Sequence, residues 1–246
     1  MASFGVVLVA AGRSSRFNDS NYEKPFAPLA GRSVWLQAAE KFLDHDDVKQ
    51  VVIVIAPEDR EYFLEKFGAD IAFLGIKVAE GGTHRSDSVF NGLAALQEEI
   101  EFVAIHDAAR PCLTTQWIDS VFKAATKTGA AILATPVVST LKRANEQRCI
   151  ADTVDRTNLW EAQTPQVFRR TLLRDVFKKD TERTATDESQ MVEAAGHTVT
   201  LVSSSPMNLK ITTKEDIRLA EQILKVLPKP GLNNHAHPFS GNDIWR

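Results

Sequence analysis

Short apolar runs that do not alternate constrain this chain more than any other feature. Val51-Val-Ile-Val-Ile55 is the clearest, and Phe4-Gly-Val-Val-Leu-Val9, Phe102-Val-Ala-Ile-His106 and Ala130-Ala-Ile-Leu-Ala-Thr135 resemble it. A strand with one wet face alternates apolar and polar residues, so unbroken β-branched runs read as strands buried on both faces. Stretches with helical spacing separate them. Val34, Ala38 and Phe42 follow a candidate N-cap at Ser33, and a helix opening at Pro57 carries Tyr62, Phe63 and Phe67. This order predicts an α/β fold with a doubly wound, Rossmann-like, mostly parallel sheet flanked by helices.

The same reading places a strand at Ile76–Glu80 and a helix at His84–Gln97, with Val89, Leu93 and Leu96 as its buried stripe. Further helices are expected at Gln116–Lys127, Arg170–Lys179 and Asp187–Ala195, the last stopped by Gly196. Val199–Val202 and Asn208–Thr212 read as the last strands. Thr213-Lys-Glu-Asp216 resembles a capping box opening a helix that ends near Leu227. From Pro136 to about Pro165 the rhythm breaks. Val137–Arg143 and Ile150–Arg156 read as two strands joined by Asn145-Glu-Gln-Arg148. Such a hairpin has little core of its own, so residues 136–165 are expected to form an arm that leaves the sheet and can pack on a second subunit.

Composition excludes several classes. A 246-residue chain with 43% hydrophobic and 25% charged residues can bury a single large core, here assigned to residues 1–227. A net charge of −3 argues against general nucleic-acid binding, so any anion site must be local. Cys112 and Cys149 have neither disulfide-framework nor zinc spacing. The N-terminal apolar run is short and meets Arg13 and Arg16, and no run is long enough for a membrane helix, so no membrane partner and a cytoplasmic location are expected. Residues 228–246 read as a flexible tail whose His235 and His237 are incidental, and no protein metal site is expected.

Polar clusters follow the strands, where open α/β sheets bind ligands. Ala10-Ala-Gly12, Arg16 and Lys24 form either an anion cradle or a solvated basic turn. Gly81-Gly-Thr83 with Ser88 either admits a planar ligand or is an ordinary flexible connection. Asp107-Ala-Ala-Arg110 either places a magnesium-bound triphosphate or sugar hydroxyl or closes a turn. Thr140, Arg156, Thr164 and Lys210 form a dispersed fourth group, with Lys210 expected beside a cavity. Walker, dinucleotide, GxSxG and HExxH patterns are absent.

Leu8-Val-Ala-Ala-Gly-Arg-Ser-Ser-Arg16 with Lys24-Pro25 resembles the nucleotide loop of the sugar-nucleotidyltransferase superfamily. His106-Asp-Ala-Ala-Arg-Pro111, Asp155-Arg156, Leu159-Trp160, Gln163-Thr-Pro-Gln166, Thr186-Asp-Glu188 and Asn208-Leu-Lys-Ile-Thr212 narrow it. In order from about Phe4 to Leu227, the chain resembles the 2-C-methyl-D-erythritol 4-phosphate cytidylyltransferase family of the non-mevalonate isoprenoid pathway. The resemblance implies CMP transfer from CTP to the polyol phosphate with release of pyrophosphate, and Mg²⁺ held mainly by the CTP phosphates. It implies a homodimer with a shared active site, clasped by the arm. Arg16 and Lys24 match transition-state stabilisers. Ala10, Ala11, Gly12, Gly82, Ser88 and Asp107 match the CTP side, with Thr83 beside them. Asp107, Arg110, Thr140, Arg156, Thr164 and Lys210 match the methylerythritol-phosphate side, Thr140 and Arg156 reaching it from the partner subunit. A phosphate nucleophile is already anionic, so no general base is required.

Two departures stand out. Thr83 occupies a position where the resemblance leads one to expect an acidic residue that reads the cytosine amino group, and Met207 stands where Asp is frequent. A ribitol-5-phosphate cytidylyltransferase shares these motifs and is the near alternative. A non-catalytic nucleotide-binding subunit is the distant one, and retention of Arg16, Lys24, Asp107 and Lys210 argues against it.

Overall fold

The structure, a computed structural model, describes residues 2–12, 24–179 and 185–228. Three buried runs pair in parallel at its centre: β1 (Phe4–Val9) lies between β4 (Val48–Ile55) and β6 (Phe102–Asp107). Their side chains divide by alternation. Val6, Leu8, Ile53 and Ala104 join one core, and Val7, Val52, Val54 and Ile105 join the other. Both faces of these strands are dry, as the non-alternating runs require.

The helices supply the two covers. On the first face α1 (Val34–Leu43), α2 (Arg60–Leu74) and α4 (Thr115–Thr128) bring Trp35, Phe63, Phe67, Ile118 and Phe122. On the second, α3 (Arg85–Ala95), α5 (Arg170–Lys179) and α6 (Glu188–Ala194) bring Val89, Leu93, Leu173, Val176 and Met191. Ser33 occupies the N-cap of α1 without a side-chain capping bond, and Tyr62 is half exposed instead of joining Phe63 and Phe67 inside. Leu96 lies just past α3 but is buried as expected.

The seven-stranded sheet has the order β11-β7-β10-β6-β1-β4-β5. Its remaining members are β5 (Lys77–Glu80), β7 (Ala130–Pro136), β10 (Trp160–Arg169) and β11 (Thr200–Ser203). A small ribbon, β2 (Pro28–Leu29) with β3 (Arg32–Ser33), precedes α1. The chain builds outward from β1 through β4 to β5, then crosses to β6 on the other side, so its winding reverses between β1 and β6. Ligand crevices open at such a reversal, beyond the carboxyl ends of the strands.

Two elements differ from the sequence reading. Gln163–Phe168 is not a simple return: it belongs to β10, which runs antiparallel to both β6 and β7 and fills the space between them. Asn208–Thr212 forms no strand. Its Ile211 N–H donates to the Ala109 carbonyl and its Asn208 N–H to the Ser205 carbonyl in a local turn, with side chains adding further bonds. β8 (Leu141–Ala144) and β9 (Ile150–Val154) pair with each other in a separate two-stranded sheet, as read for the hairpin. The final helix α7 (Lys214–Val226) opens on Thr213, with Asp216 accepting from the Thr213 N–H at 2.8 Å.

Gly92 sets how closely α3 approaches the sheet. A Cβ built there would lie 2.4 Å from Val7 Cγ1 and 2.8 Å from Val54 Cγ2, both in the buried interior. Alanine normally favours a helix over glycine, but here the overpacking outweighs that gain. Gly92→Ala is expected to lower unfolding stability by about 1–3 kcal/mol. Urea unfolding checks this, and an unchanged or raised midpoint would mean that the helix shifts freely on the sheet.

Candidate active site

A cavity of about 670 Å³ lies at the carboxyl ends of the parallel strands. Its walls come from Val9–Gly12 after β1, Ala56–Glu58 after β4, Gly81–His84 after β5, and Asp107 and Ala109 at β6, with Arg85, Ser88 and Lys210 alongside. Short backbone bonds set these loops: Ala10 N–H to the Val54 carbonyl (2.9 Å), Gly81 N–H to Ile55 (2.8 Å) and Ala108 N–H to Val9 (3.1 Å). Gly81 and Gly82 are required by space. A Cβ on Gly81 would meet Ala11 Cβ at 2.5 Å, and one on Gly82 would meet Asp87 Cβ at 2.2 Å. The Gly82 N–H donates to Ser88 Oγ at 3.1 Å, and Ser88 Oγ–H donates to the His84 carbonyl at 3.2 Å. His84 is itself exposed and N-caps α3.

Asp107 is the electrostatic centre. Its Oδ2 lies 2.7 Å from Lys210 Nζ and 3.5 Å from Arg110 Nε, and its Oδ1 lies 3.6 Å from Arg85 Nη2. Burial alone would raise its pKa, but Lys210, Arg85 and Arg110 together hold it far below the ordinary carboxylate range. Burial likewise opposes the charge on Arg85, yet Glu188 and Asp107 hold its pKa above the usual value. For Arg110, burial prevails and lowers it. For Glu188, burial raises the pKa against the pull of the Arg85 guanidinium, and the cluster sets the two acids Asp107 and Glu188 among the three cations Arg85, Arg110 and Lys210.

Behind Asp107 the hydrogen bonds form a closed ring. Asp107 N–H donates to Thr164 Oγ1 (3.0 Å), Thr164 Oγ1 lies 3.0 Å from His106 Nδ1, and His106 Nε2 lies 3.0 Å from the Arg110 carbonyl. Arg110 N–H closes the ring on the Asp107 carbonyl at 2.9 Å. A carbonyl only accepts, so His106 carries its proton on Nε2, and Nδ1 accepts the Thr164 hydroxyl proton. His106 is wholly buried, and that burial lowers its pKa to about 4.

Strand β10 supplies the other props. Gln163 Oε1 accepts from Asn208 Nδ2 at 2.9 Å, and Gln163 Nε2 donates to the Ser205 carbonyl at 3.2 Å. Asn208 Nδ2 also donates to the Thr164 carbonyl, and Arg110 Nη1 donates to the Asn208 carbonyl at 2.7 Å. These bonds, not a strand ladder, carry Lys210 to Asp107. Gln166 grips the start of α6: its Nε2 donates to Asp187 Oδ2 at 2.9 Å, and its Oε1 accepts from Ser189 N–H at 3.0 Å.

The sequence candidates divide accordingly. Ala10, Ala11, Gly12, Gly82, Thr83, Ser88, Asp107 and Lys210 line one cavity, while Arg110 and Thr164 lie behind Asp107 as its supports. Thr140 and Arg156 are exposed on the hairpin and line no part of that cavity. Arg16 lies outside the described residues, as do His235, His237 and the tail from 229 onward, and the side chain of Lys24 is likewise outside them. Gly12 and Pro25, which bracket that loop, both face the cavity.

The 2-C-methyl-D-erythritol 4-phosphate cytidylyltransferase (IspD) family profile matches residues 4–226. The chain belongs to this family. It is 42% identical over 234 residues to the cytidylyltransferase of Rhodopirellula baltica, covering 91% of this chain and 95% of that one. Against the enzyme of Caldanaerobacter subterraneus it is 40% identical, covering 89% and 97%. The crystal structure of the Thermus thermophilus cytidylyltransferase superposes with a TM-score of 0.73 at 30% identity, covering 89% of this chain and 98% of that one.

Within this family framework, sequence reasoning missed Arg85 and Glu188 as a pair. They lie 2.5 Å apart in space but 103 residues apart in the chain, and only Glu188 stands in a motif that the sequence analysis singles out. Gln163 and Gln166 were likewise noted only as motif letters. Among the described residues no group of three or more His, Cys, Asp or Glu side chains is placed to hold a metal, and no helix is long and apolar enough to cross a membrane.

The His106 ring makes stability depend on pH. Its folded pKa of about 4 is below the ordinary value of 6.5, so on acidification the unfolded chain takes up this proton first. The stabilisation by the neutral ring is complete above about pH 6.5 and is lost as pH falls towards 4, on the order of 3 kcal/mol in all. Urea midpoints between pH 7 and pH 5 should fall more steeply for the wild type than for His106→Gln, which has no titrating ring. Parallel curves would show that His106 is not held neutral.

Proposed function

We propose that the protein transfers CMP from CTP to 2-C-methyl-D-erythritol 4-phosphate, releasing pyrophosphate, in non-mevalonate isoprenoid precursor biosynthesis in the cytoplasm. The observation that carries this reading is that residues of three family motifs, Ala10–Gly12, Asp107 with Ala109, and Lys210, line one cavity at the sheet's winding reversal. A phosphate oxygen of the polyol attacks the α-phosphorus of CTP. The bond from that phosphorus to the pyrophosphate oxygen breaks, and pyrophosphate leaves with the electron pair. No proton need be removed from the nucleophile, and the residues supply position and positive charge.

Ala10–Gly12, Gly82, Thr83 and Ser88 form the nucleotide side. The double glycine lets this loop pack tightly against Ala11 and Asp87, and the wall it forms is assigned to the base. Arg16 and Lys24 are assigned to the α-phosphate, where negative charge builds as pyrophosphate departs. Lys210, Arg110 and Asp107, with Thr164 beneath, receive the polyol phosphate. Mg²⁺ is assigned mainly to the phosphate oxygens of CTP and to water, with Asp107 deprotonated at the cavity wall nearby. Such an ion, when bound, would neutralise triphosphate charge.

The hairpin is assigned to a homodimer contact. Val138, Ile150, Leu159 and Trp160 on or beside it are exposed, Val138 at 72% and Ile150 at 67%. An apolar set of this kind on a two-stranded ribbon is well served by burial against a second copy. Thr140 and Arg156, exposed on the same ribbon, would then serve the partner's cavity.

Pyrophosphate release with CTP, Mg²⁺ and the polyol phosphate tests the reaction. Turnover with methylerythritol phosphate is expected, and none with it, or faster turnover of ribitol 5-phosphate, would overturn the assignment. Lys210→Ala should lower kcat/KM at least about tenfold, given the loss of a charged contact, with little change in fold by circular dichroism. Mixed Arg156→Ala and Arg16→Ala subunits should regain activity that neither variant has alone. No regain after proven subunit exchange would exclude a shared site.

A further inference from the structure

Glu188 is 1% exposed, and the side chain that meets its carboxyl group is Arg85, Nη1 lying 2.5 Å from Oε1. Its second oxygen, Oε2, has no hydrogen-bond partner among the described residues. An isolated buried carboxylate is costly, and so this one strongly demands the guanidinium. The same guanidinium faces Asp107 with its other terminal nitrogen, but at 3.6 Å, beyond hydrogen-bond length. Without Glu188 the fork of Arg85 would be free to close on Asp107 in a bidentate pair, the arrangement that guanidinium and carboxylate prefer.

The two oxygens of Asp107 are therefore unlike. Oδ2 is taken by Lys210 at 2.7 Å, with Arg110 at 3.5 Å. Among the described residues, the cation beside Oδ1 is the more distant Arg85, on the side of α3 and Ser88. Its charge is compensated without its lone pairs being used. We propose that Glu188 is a positioning residue that holds Arg85 back from Asp107, keeping Asp107 Oδ1 open to accept a hydrogen bond from a hydroxyl of a bound substrate. Glu188 is itself held in place from β10, through Gln166 to Asp187 and Ser189 on either side of it. Both substrates of the proposed reaction carry hydroxyls, the ribose of CTP and the polyol chain, and this inference rests on that reading.

Two variants and two readouts test it. Glu188→Gln keeps shape but removes the charge that draws Arg85 from Asp107, while Arg85→Lys keeps one charge but cannot span both carboxylates. Each is expected to raise either the Kd for CTP, measured by calorimetry, or the KM for the polyol phosphate by about tenfold, as for a lost charged contact. A rise in the CTP constant assigns the hydroxyl to the ribose, and a rise in the other assigns it to the polyol. Glu188→Gln should add little in an Arg85→Lys background, because both act through the same contact. Thermal unfolding accompanies each measurement. Unchanged Kd and KM in a folded Glu188→Gln or Arg85→Lys protein, or additive effects in the double variant, would overturn the proposal. If the wild type binds no CTP, the reaction assignment fails instead.

Discussion

One hydroxyl joins the two halves of this structure. Thr164 Oγ1, on the antiparallel strand β10, accepts the peptide proton of Asp107 and donates to His106 on β6. The carboxylate at the end of β6 therefore has a fixed origin, and the cations around it are arranged with respect to that origin. Buried polar networks are worthwhile only when every member is satisfied. The ring through Asp107, Thr164, His106 and Arg110 meets that condition at each link. The flanking glutamines extend the influence of β10, Gln163 towards Asn208 and Lys210, and Gln166 towards Asp187 and Glu188. One strand thus braces both sides of the cavity.

The electrostatics show why overall charge said little about the ligand. The chain carries −3 in total, yet the cavity end of the sheet gathers Arg85, Arg110 and Lys210 around Asp107. Low-dielectric surroundings strengthen such local fields, while distant surface charges are screened by salt. A region of net positive charge on an acidic protein suits a pair of phosphate-bearing substrates.

The fold was legible where burial was two-sided. Runs such as Val51–Ile55 have few alternatives. The double glycine and Asp107 were readable because each stands at the end of a strand, and Lys210 because a lysine among apolar neighbours asks for a cavity. β10 was not readable as a strand, since Gln163-Thr-Pro-Gln166 is polar in a buried place and breaks the β pattern. Those polar groups are there to bond neighbouring loops. Asn208–Thr212 misled in the opposite direction: Leu209 and Ile211 alternate like a strand, but the segment joins no ladder, its backbone N–H groups reaching the Ala109 carbonyl and a local turn carbonyl at Ser205. The Arg85–Glu188 pair joins α3 to α6 across the second face, and one-dimensional spacing carries no trace of such a contact.

Gly92 gives the cavity one of its dimensions. It lies one helical turn beyond Ser88, on the side of α3 that presses against Val7 and Val54. Because no methyl group intervenes, the first turn of the helix settles deep enough for Ser88 to reach the Gly82 peptide. The helix acts as a lever resting on a bare α-carbon: thickness added at the fulcrum would lift the end that meets the ligand. A hydrogen atom far from any chemistry thus calibrates the height of the pocket.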